Sequence, residues 1–245
     1  MKTLIRVALI ASFAAPLAWS AGTVKVYIPD STQPKTLTNA GHLIDLVGQP
    51  RLANSWWPGA VIAERQKTAE AEQQYKALLA RLTGLAEQEE GDDAAAINSV
   101  RQQVQALKIT GRLPVNLDPD DVRVSENGNP ALEGEYTLWL PAQPSTITVF
   151  GLISHPGKKP FTPGRDVVSY LDEQSLLSGA DNSYAWVVYP DGHTQKAPVA
   201  YWNKRHIEPM PGSIIFVGFA DHFWTKAYDG LNADILRSLI QRIPE

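Results

Sequence analysis

The chain has 245 residues, a net charge of −4, five histidines and no cysteine. This balance, with no basic block anywhere, argues against a nucleic-acid partner. The missing thiols exclude disulfides, thiol catalysis, iron–sulfur clusters and cysteine zinc sites, so stability must come from packed cores.

The N-terminus carries the order of a secretory signal. Lys2 and Arg6 form a short basic start, Leu4 to Leu17 is mostly apolar, and Ala18-Trp19-Ser20 supplies small residues before Ala21. The run is shorter than the ~20 apolar residues that a bilayer core requires. Residues 1–20 are therefore read as a removed segment, and no later stretch is apolar enough to span a membrane.

Thr23–Ile28 alternates polar with β-branched or aromatic residues and predicts a strand. Asn39 is placed to cap a short helix holding Leu43, Ile44, Leu46 and Val47, which Gly48-Gln-Pro50 ends. From Ile62 to Leu107 the chain is rich in Ala, Gln, Glu, Leu and Arg and lacks proline, which favours helix. Tyr75, Leu78, Leu79, Leu82 and Leu85 form one apolar stripe; Ile97, Val100, Val104 and Leu107 form another. Gly91-Asp-Asp93 interrupts the run, so an antiparallel helical hairpin is expected. Arg112–Leu117, Val122–Ser125 and Tyr136–Leu140 are expected strands, with a turn at Asn127-Gly-Asn-Pro130. Pro141-Ala-Gln-Pro144 reads as a stiff boundary.

Beyond it, Thr146–Ile153 predicts a strand, His155-Pro-Gly157 a turn, and Asp166–Leu171 a short helix preceded by Thr162 or Gly164. Tyr184–Tyr189 is strongly β-prone, Pro190-Asp-Gly192 turns it back, and Lys196–Trp202 and Ser213–Phe219 complete the set. In the last segment Leu231, Ile235, Leu236, Leu239, Ile240 and Ile243 share one helical face opposite Asp234, Arg237 and Arg242. Such a helix either packs on its own domain or docks elsewhere. In the second case Leu231, Ile235, Leu239 and Ile243 are the partner-binding residues.

The two halves repeat one pattern. Thr23-Val-Lys-Val-Tyr27 and Leu37-Thr-Asn-Ala-Gly-His-Leu-Ile-Asp-Leu-Val47 correspond to Thr146-Ile-Thr-Val-Phe150 and Phe161-Thr-Pro-Gly-Arg-Asp-Val-Val-Ser-Tyr-Leu171. Leu132-Glu-Gly-Glu-Tyr-Thr-Leu-Trp139 corresponds to Met210-Pro-Gly-Ser-Ile-Ile-Phe-Val217. Residues 62–107 account for the extra length of the first copy, which marks the hairpin as an insertion. The fold class is thus α+β, with two tandem β-grasp domains. The layout is a signal peptide at 1–20, a first domain at 21–142 interrupted at about 62–107, a second domain at 145–220, and an amphipathic helix at 229–245.

Residues Thr146–Phe219 resemble the SLBB family of ligand-binding β-grasp modules, through Ile147-Thr-Val-Phe-Gly151, Pro156-Gly157, Asp166-Val-Val and Met210–Val217. Over its mature length the chain resembles the GfcC family of periplasmic capsule and exopolysaccharide proteins. Gly41–Gly59, Ser175–Asp181 and Val199–His206 carry that likeness. The resemblance implies tandem β-grasp domains, the helical insertion, a periplasmic location in a Gram-negative envelope, and work in exopolysaccharide production or export. Its partners would be a polysaccharide or envelope export proteins. It implies no catalytic residue and no cofactor.

The residues themselves offer little chemistry. His42, His155, His193, His206 and His222 show no helical zinc spacing, and no hydrolase elbow or phosphate loop is present. Asp118, Asp120 and Asp121 could pair as sugar-hydrolysing carboxylates, but beside Pro119 they read as solvated loop charges. Sugars present apolar C–H faces, so tryptophan is a candidate platform. Trp139 and Trp186 fall in strands and read as core, and Trp224 carries no separate reading. Trp56-Trp57-Pro58-Gly59 either clamps the hairpin root or meets ligand. Trp202-Asn-Lys-Arg-His206 sets an aromatic beside Lys204, Arg205 and the imidazole of His206, a candidate ligand patch for uronate or phosphate groups. Arg112, after Gly111, either lies in a cleft between insertion and domain or pairs with Asp118. The leading expectation is a non-catalytic accessory protein. A polysaccharide-modifying enzyme and a stand-alone carbohydrate-binding module are the alternatives.

Overall fold

The computed structural model describes residues 21–29, 31, 33–125, 127–221 and 226–244. The expected export signal, His222 and Trp224 lie outside them.

The first half begins with β1 (Gly22–Tyr27), β2 (Lys35–Ala40), α1 (Leu43–Val47) and β3 (Val61–Glu64). The helices α2 (Arg65–Gln88), α3 (Gly91–Gln105) and α4 (Pro119–Val124) precede β4 (Glu135–Trp139). These strands form a mixed sheet in the order β2-β1-β4-β3. β1 is antiparallel to β2 and parallel to β4, and β3 is antiparallel to β4. The second half runs β5 (Thr146–Gly151), β6 (Gly157–Pro160), α5 (Val167–Leu171), β7 (Tyr184–Val188), β8 (Thr194–Pro198), β9 (Ile214–Val217) and α6 (Leu231–Ile240). Its sheet order is β6-β5-β9-β7-β8. β5 is antiparallel to β6 and parallel to β9, and β7 is antiparallel to β9.

The connectivity of the first sheet is that of the second without β8, and α2 and α3 stand between β3 and β4. The equivalence of the last strands differs by one residue from that suggested by Gly134 and Gly212. Tyr27 pairs with Trp139 as Phe150 pairs with Phe216. With a side-chain period of two, that single residue decides which face each side chain meets.

Several local expectations are corrected. Ile62–Glu64 belongs to β3, not to the hairpin. Asn39 lies in β2 at φ 67°, and His42 stands at the start of α1, its N–H donating to the Asp45 carboxylate at 2.9 Å. Val122–Val124 is the end of α4, with Ser125 as its C-cap, and not a strand. Pro119 occupies the first turn, where its missing N–H costs nothing, and Asp118 accepts from the Asp120 N–H at 2.9 Å. Arg112–Leu117 makes one bridge, Arg112 to Ala63, and then runs without ladder partners. Asp166, expected as the first helical residue, instead caps α5 by accepting from the Ser169 N–H. β8 ends at Pro198, and Tyr201–Asn203 forms a turn.

Each sheet buries one alternating face beneath its short helices. Val24, Val26, Leu43, Leu46 and Leu138 form the first core; Ile147, Val149, Tyr170, Val187 and Ile215 form another. The third core joins the halves. Leu82, Ile97, Val100 and Val104 of the hairpin pack on Phe150, Phe216 and Val188 of the second sheet, and on Leu231, Ile235 and Leu239 of α6. The insertion thus covers the other unit's sheet. At ~1.5–3 kcal/mol for each fully buried aliphatic side chain, this seam rivals either unit's own core. Gln103 reinforces it: its amide donates to the Gly151 carbonyl and accepts from the Gly151 N–H, at 2.9 and 2.8 Å.

Candidate functional site

Arg112 sits where both sheets and α6 meet. It follows Gly111, whose position leaves no room for a side chain: a Cβ there would lie 2.1 Å from the backbone of Lys67 and Thr68. This close approach sends the Arg112 side chain away from α2. Its guanidinium donates to the Pro190 carbonyl at 2.8 Å, and reaches the carbonyls of Ala60 and Ile240 at 3.4 Å. Gly192 closes the turn against it at φ 93°, where a Cβ would lie 3.0 Å from the Arg112 Cζ. Burial pushes the guanidinium down to about 10, against the opposing pull of Asp191. It therefore stays charged at neutral pH. Its partners are carbonyls; among the described residues it forms no ion pair with Asp118.

Arg112 lines two cavities. One, of about 530 Å³, lies between the hairpin exit, the Pro141–Pro144 connector and β5. Its wall includes Lys108, Arg112, Lys158 and Arg242. Arg242 also donates to the carbonyls of Leu239 and Gly212, at 2.8 and 2.9 Å. Trp56 lines the same cavity, its ring lying against Gly59 and Gly212, one from each half. The other cavity, of about 560 Å³, is lined by Arg112, Asp118, Asp121, Asp191 and His193. The two clefts meet at one fixed cation.

The remaining site residues are elsewhere. Trp202 is 73% exposed in a surface turn, next to Tyr201. Lys204, Arg205 and His206 are also exposed, and none of the four lines either cavity around Arg112. His206 contacts the Glu208 carboxylate at 2.7 Å and lies 3.7 Å from Asp166. The Glu208 hydrogen bond is the largest influence holding its pKa above the ordinary histidine value. Leu231, Ile235 and Leu239 are fully buried in the shared core, so the face considered for a partner is covered by the protein itself. Ile243 is half-buried and its N–H donates to the Lys108 carbonyl at 2.7 Å. Trp139, expected in the core, is half-buried on the opposite face.

Sequence reasoning missed Lys108, Lys158 and Arg242. They lie in three separate segments, and only the meeting of the hairpin exit, β6 and the chain end brings them together. No spacing along the chain signals that convergence.

Two mixed sheets of like connectivity, joined by a helical insertion and framing clefts at a buried arginine, define a two-sheet α+β protein. The chain belongs to the GfcC capsule biosynthesis family. Residues 20–143 match its N-terminal description, "Capsule biosynthesis GfcC, N-terminal", and residues 155–244 its C-terminal one. It is also 68% identical over 239 residues to the protein YjbG of Escherichia coli (strain K12), covering 98% of each chain. No helix among the described residues is long and apolar enough to cross a membrane.

Proposed function

We propose that this protein is a non-catalytic periplasmic accessory factor in capsule or exopolysaccharide production or export. Its two sheets act as SLBB-like β-grasp units that hold acidic groups of the polymer, or of an export partner, in the basic cleft at Arg112. Family membership supports the pathway. The observation that carries the binding reading is the Arg112 guanidinium, held between the halves by backbone carbonyls and lining both clefts. A buried arginine with fixed orientation suits carboxylate or phosphate recognition.

The non-catalytic reading is supported by the use of the nearest clustered carboxylates. Asp118 caps α4, Asp121 accepts from Asn116 at 2.7 Å, and Asp120 pairs with Arg123 at 3.0 Å. They are occupied as structural partners.

The test is titration of the mature chain with an oligouronate and with a neutral glucan at several ionic strengths. The uronate should bind, weaken as salt screens it, and lose about tenfold or more in affinity in Arg112→Ala, with partial recovery in Arg112→Lys. Equal binding of the neutral glucan, or turnover of purified polymer lost on a single carboxylate substitution, would replace this reading with a neutral-sugar module or an enzyme. Release of a chain beginning at Ala21 into the periplasmic fraction checks the location.

A further inference from the structure

The first sheet has a face that the second sheet does not leave open. In the second sheet the paired rings Phe150 and Phe216 lie under the hairpin and α6, inside the shared core. The equivalent positions in the first sheet are Tyr27 and Trp139, paired in register on neighbouring parallel strands. Their rings are near-parallel, 9° apart with centroids 5.9 Å apart. Neither belongs to a core cluster; Tyr27 is 38% exposed and Trp139 half-buried. Where the site is covered the rings are wholly apolar, and where it is open both carry a polar tip suited to a wet surface.

The pair does not stand alone. Trp139 pairs across to Val61 on β3, so Tyr27, Trp139 and Val61 form one row on the same sheet face. Val61 is a wall residue of the basic cavity, as are Pro141 and Ala142, which follow Trp139 along the chain. Lys25, exposed, precedes the row on the same face of β1. The aromatic row therefore adjoins, through Val61, the cleft that holds Lys108 and Arg112.

We propose that Tyr27 and Trp139 form a sugar-binding platform that lays an acidic polysaccharide across the first sheet and leads its charged groups into the Arg112 cleft. This rests on the polymer-binding reading above and adds the site and the substrate class. The apolar C–H faces of pyranose rings meet the aromatic rings, while the carboxylates of the same chain meet the cations. Charge sets the occupant: an aromatic row alone would suit any glycan, and the adjoining Lys108 and Arg112 select a uronate-bearing one. An apolar protein partner would gain nothing from that cleft.

The experiment measures binding of an oligouronate and of a neutral glucan of equal length to the full mature chain, Tyr27→Ala, Trp139→Phe, Trp139→Ala and Arg112→Ala. Far-ultraviolet dichroism and melting verify folding. Trp139→Phe keeps most of the ring if Trp139→Ala does not fold. The proposal expects Tyr27→Ala and Trp139→Ala each to weaken oligouronate binding about fivefold or more, the ratio given by ~1 kcal/mol of lost contact. Trp139→Phe should give a smaller loss, and none of these three variants should change the salt dependence. Arg112→Ala should reduce both affinity and salt dependence. If the wild-type chain binds oligouronate and the ring variants bind it equally well, the platform is overturned while the cleft reading stands. If the wild-type chain binds no oligouronate, both fall. Equal binding of the neutral glucan would also overturn the proposal, because the cleft would not be selecting charge.

Discussion

At the scale of single residues, the structure separates fixed cations from solvated ones. Arg112 is held by carbonyls from three segments, whereas Lys204 and Arg205 stand in solvent. His206 lies between these cases, because two carboxylates face it. Glu208 raises its pKa most, and Asp166 adds to the rise. Asp166 in turn lies below the usual carboxylate value: burial would lift it, but hydrogen bonds from Ser169 and the nearby His206 outweigh that. The signs follow. The His206 contribution is fully present below the ordinary histidine pKa and fades as pH rises through the raised value. The Asp166 contribution is lost as pH falls through its lowered value. An NMR titration should therefore give His206 a midpoint above that of a model histidine, moving down in Glu208→Gln. An unchanged midpoint in that variant would remove the Glu208 contact from the account. The cluster Trp202–His206 was visible in the sequence as a charged aromatic turn, and it is exposed. Its separation from the Arg112 clefts was not visible, because it depends on which end of the sheet each turn occupies.

At the scale of elements, α6 is part of the fold. Its stripe was legible from spacing, but spacing cannot say what covers it. The answer lies in α2 and the second sheet, far away in sequence. Arg81 on α2 fixes the contact. It pairs with Asp234 at 2.8 Å and donates to the carbonyls of Ala227 and Asp229, both at 2.7 Å. Leu239→Ala should cost about 2–5 kcal/mol, as expected for a fully buried leucine in a tight core. Removal of residues 233–245 should abolish cooperative melting, with dye binding to the uncovered apolar sheet. A truncated chain that melts like the intact one would return α6 to the role of a detachable docking element. The hairpin was equally legible, since its two stripes and its lack of proline define it. Its expected start, Ile62–Glu64, suits either state by composition, and only pairing with β4 decides for strand.

At the scale of the whole molecule, the duplicated pattern indicated two units of like element order, but not their strand order or their joint structure. The insertion of the first unit completes the second unit's core. Beyond α6, the chain end runs beside the hairpin exit through Ile109–Arg242 and the Thr110 N–H bond to Gln241. The clefts at Arg112 exist only because these parts are fixed together. A family motif in either half alone would not reveal them. The sequence was silent on the Tyr27–Trp139 face for the same reason: its exposure follows from what the hairpin covers and what it leaves open. The most direct measurement is the unfolding of the isolated segment 144–244 in urea, followed beside the full chain. The second sheet without its hairpin should show no cooperative transition and should bind an apolar dye, while the full chain unfolds in one step. A fragment that unfolds cooperatively, at a midpoint near that of the full chain, would contradict the account.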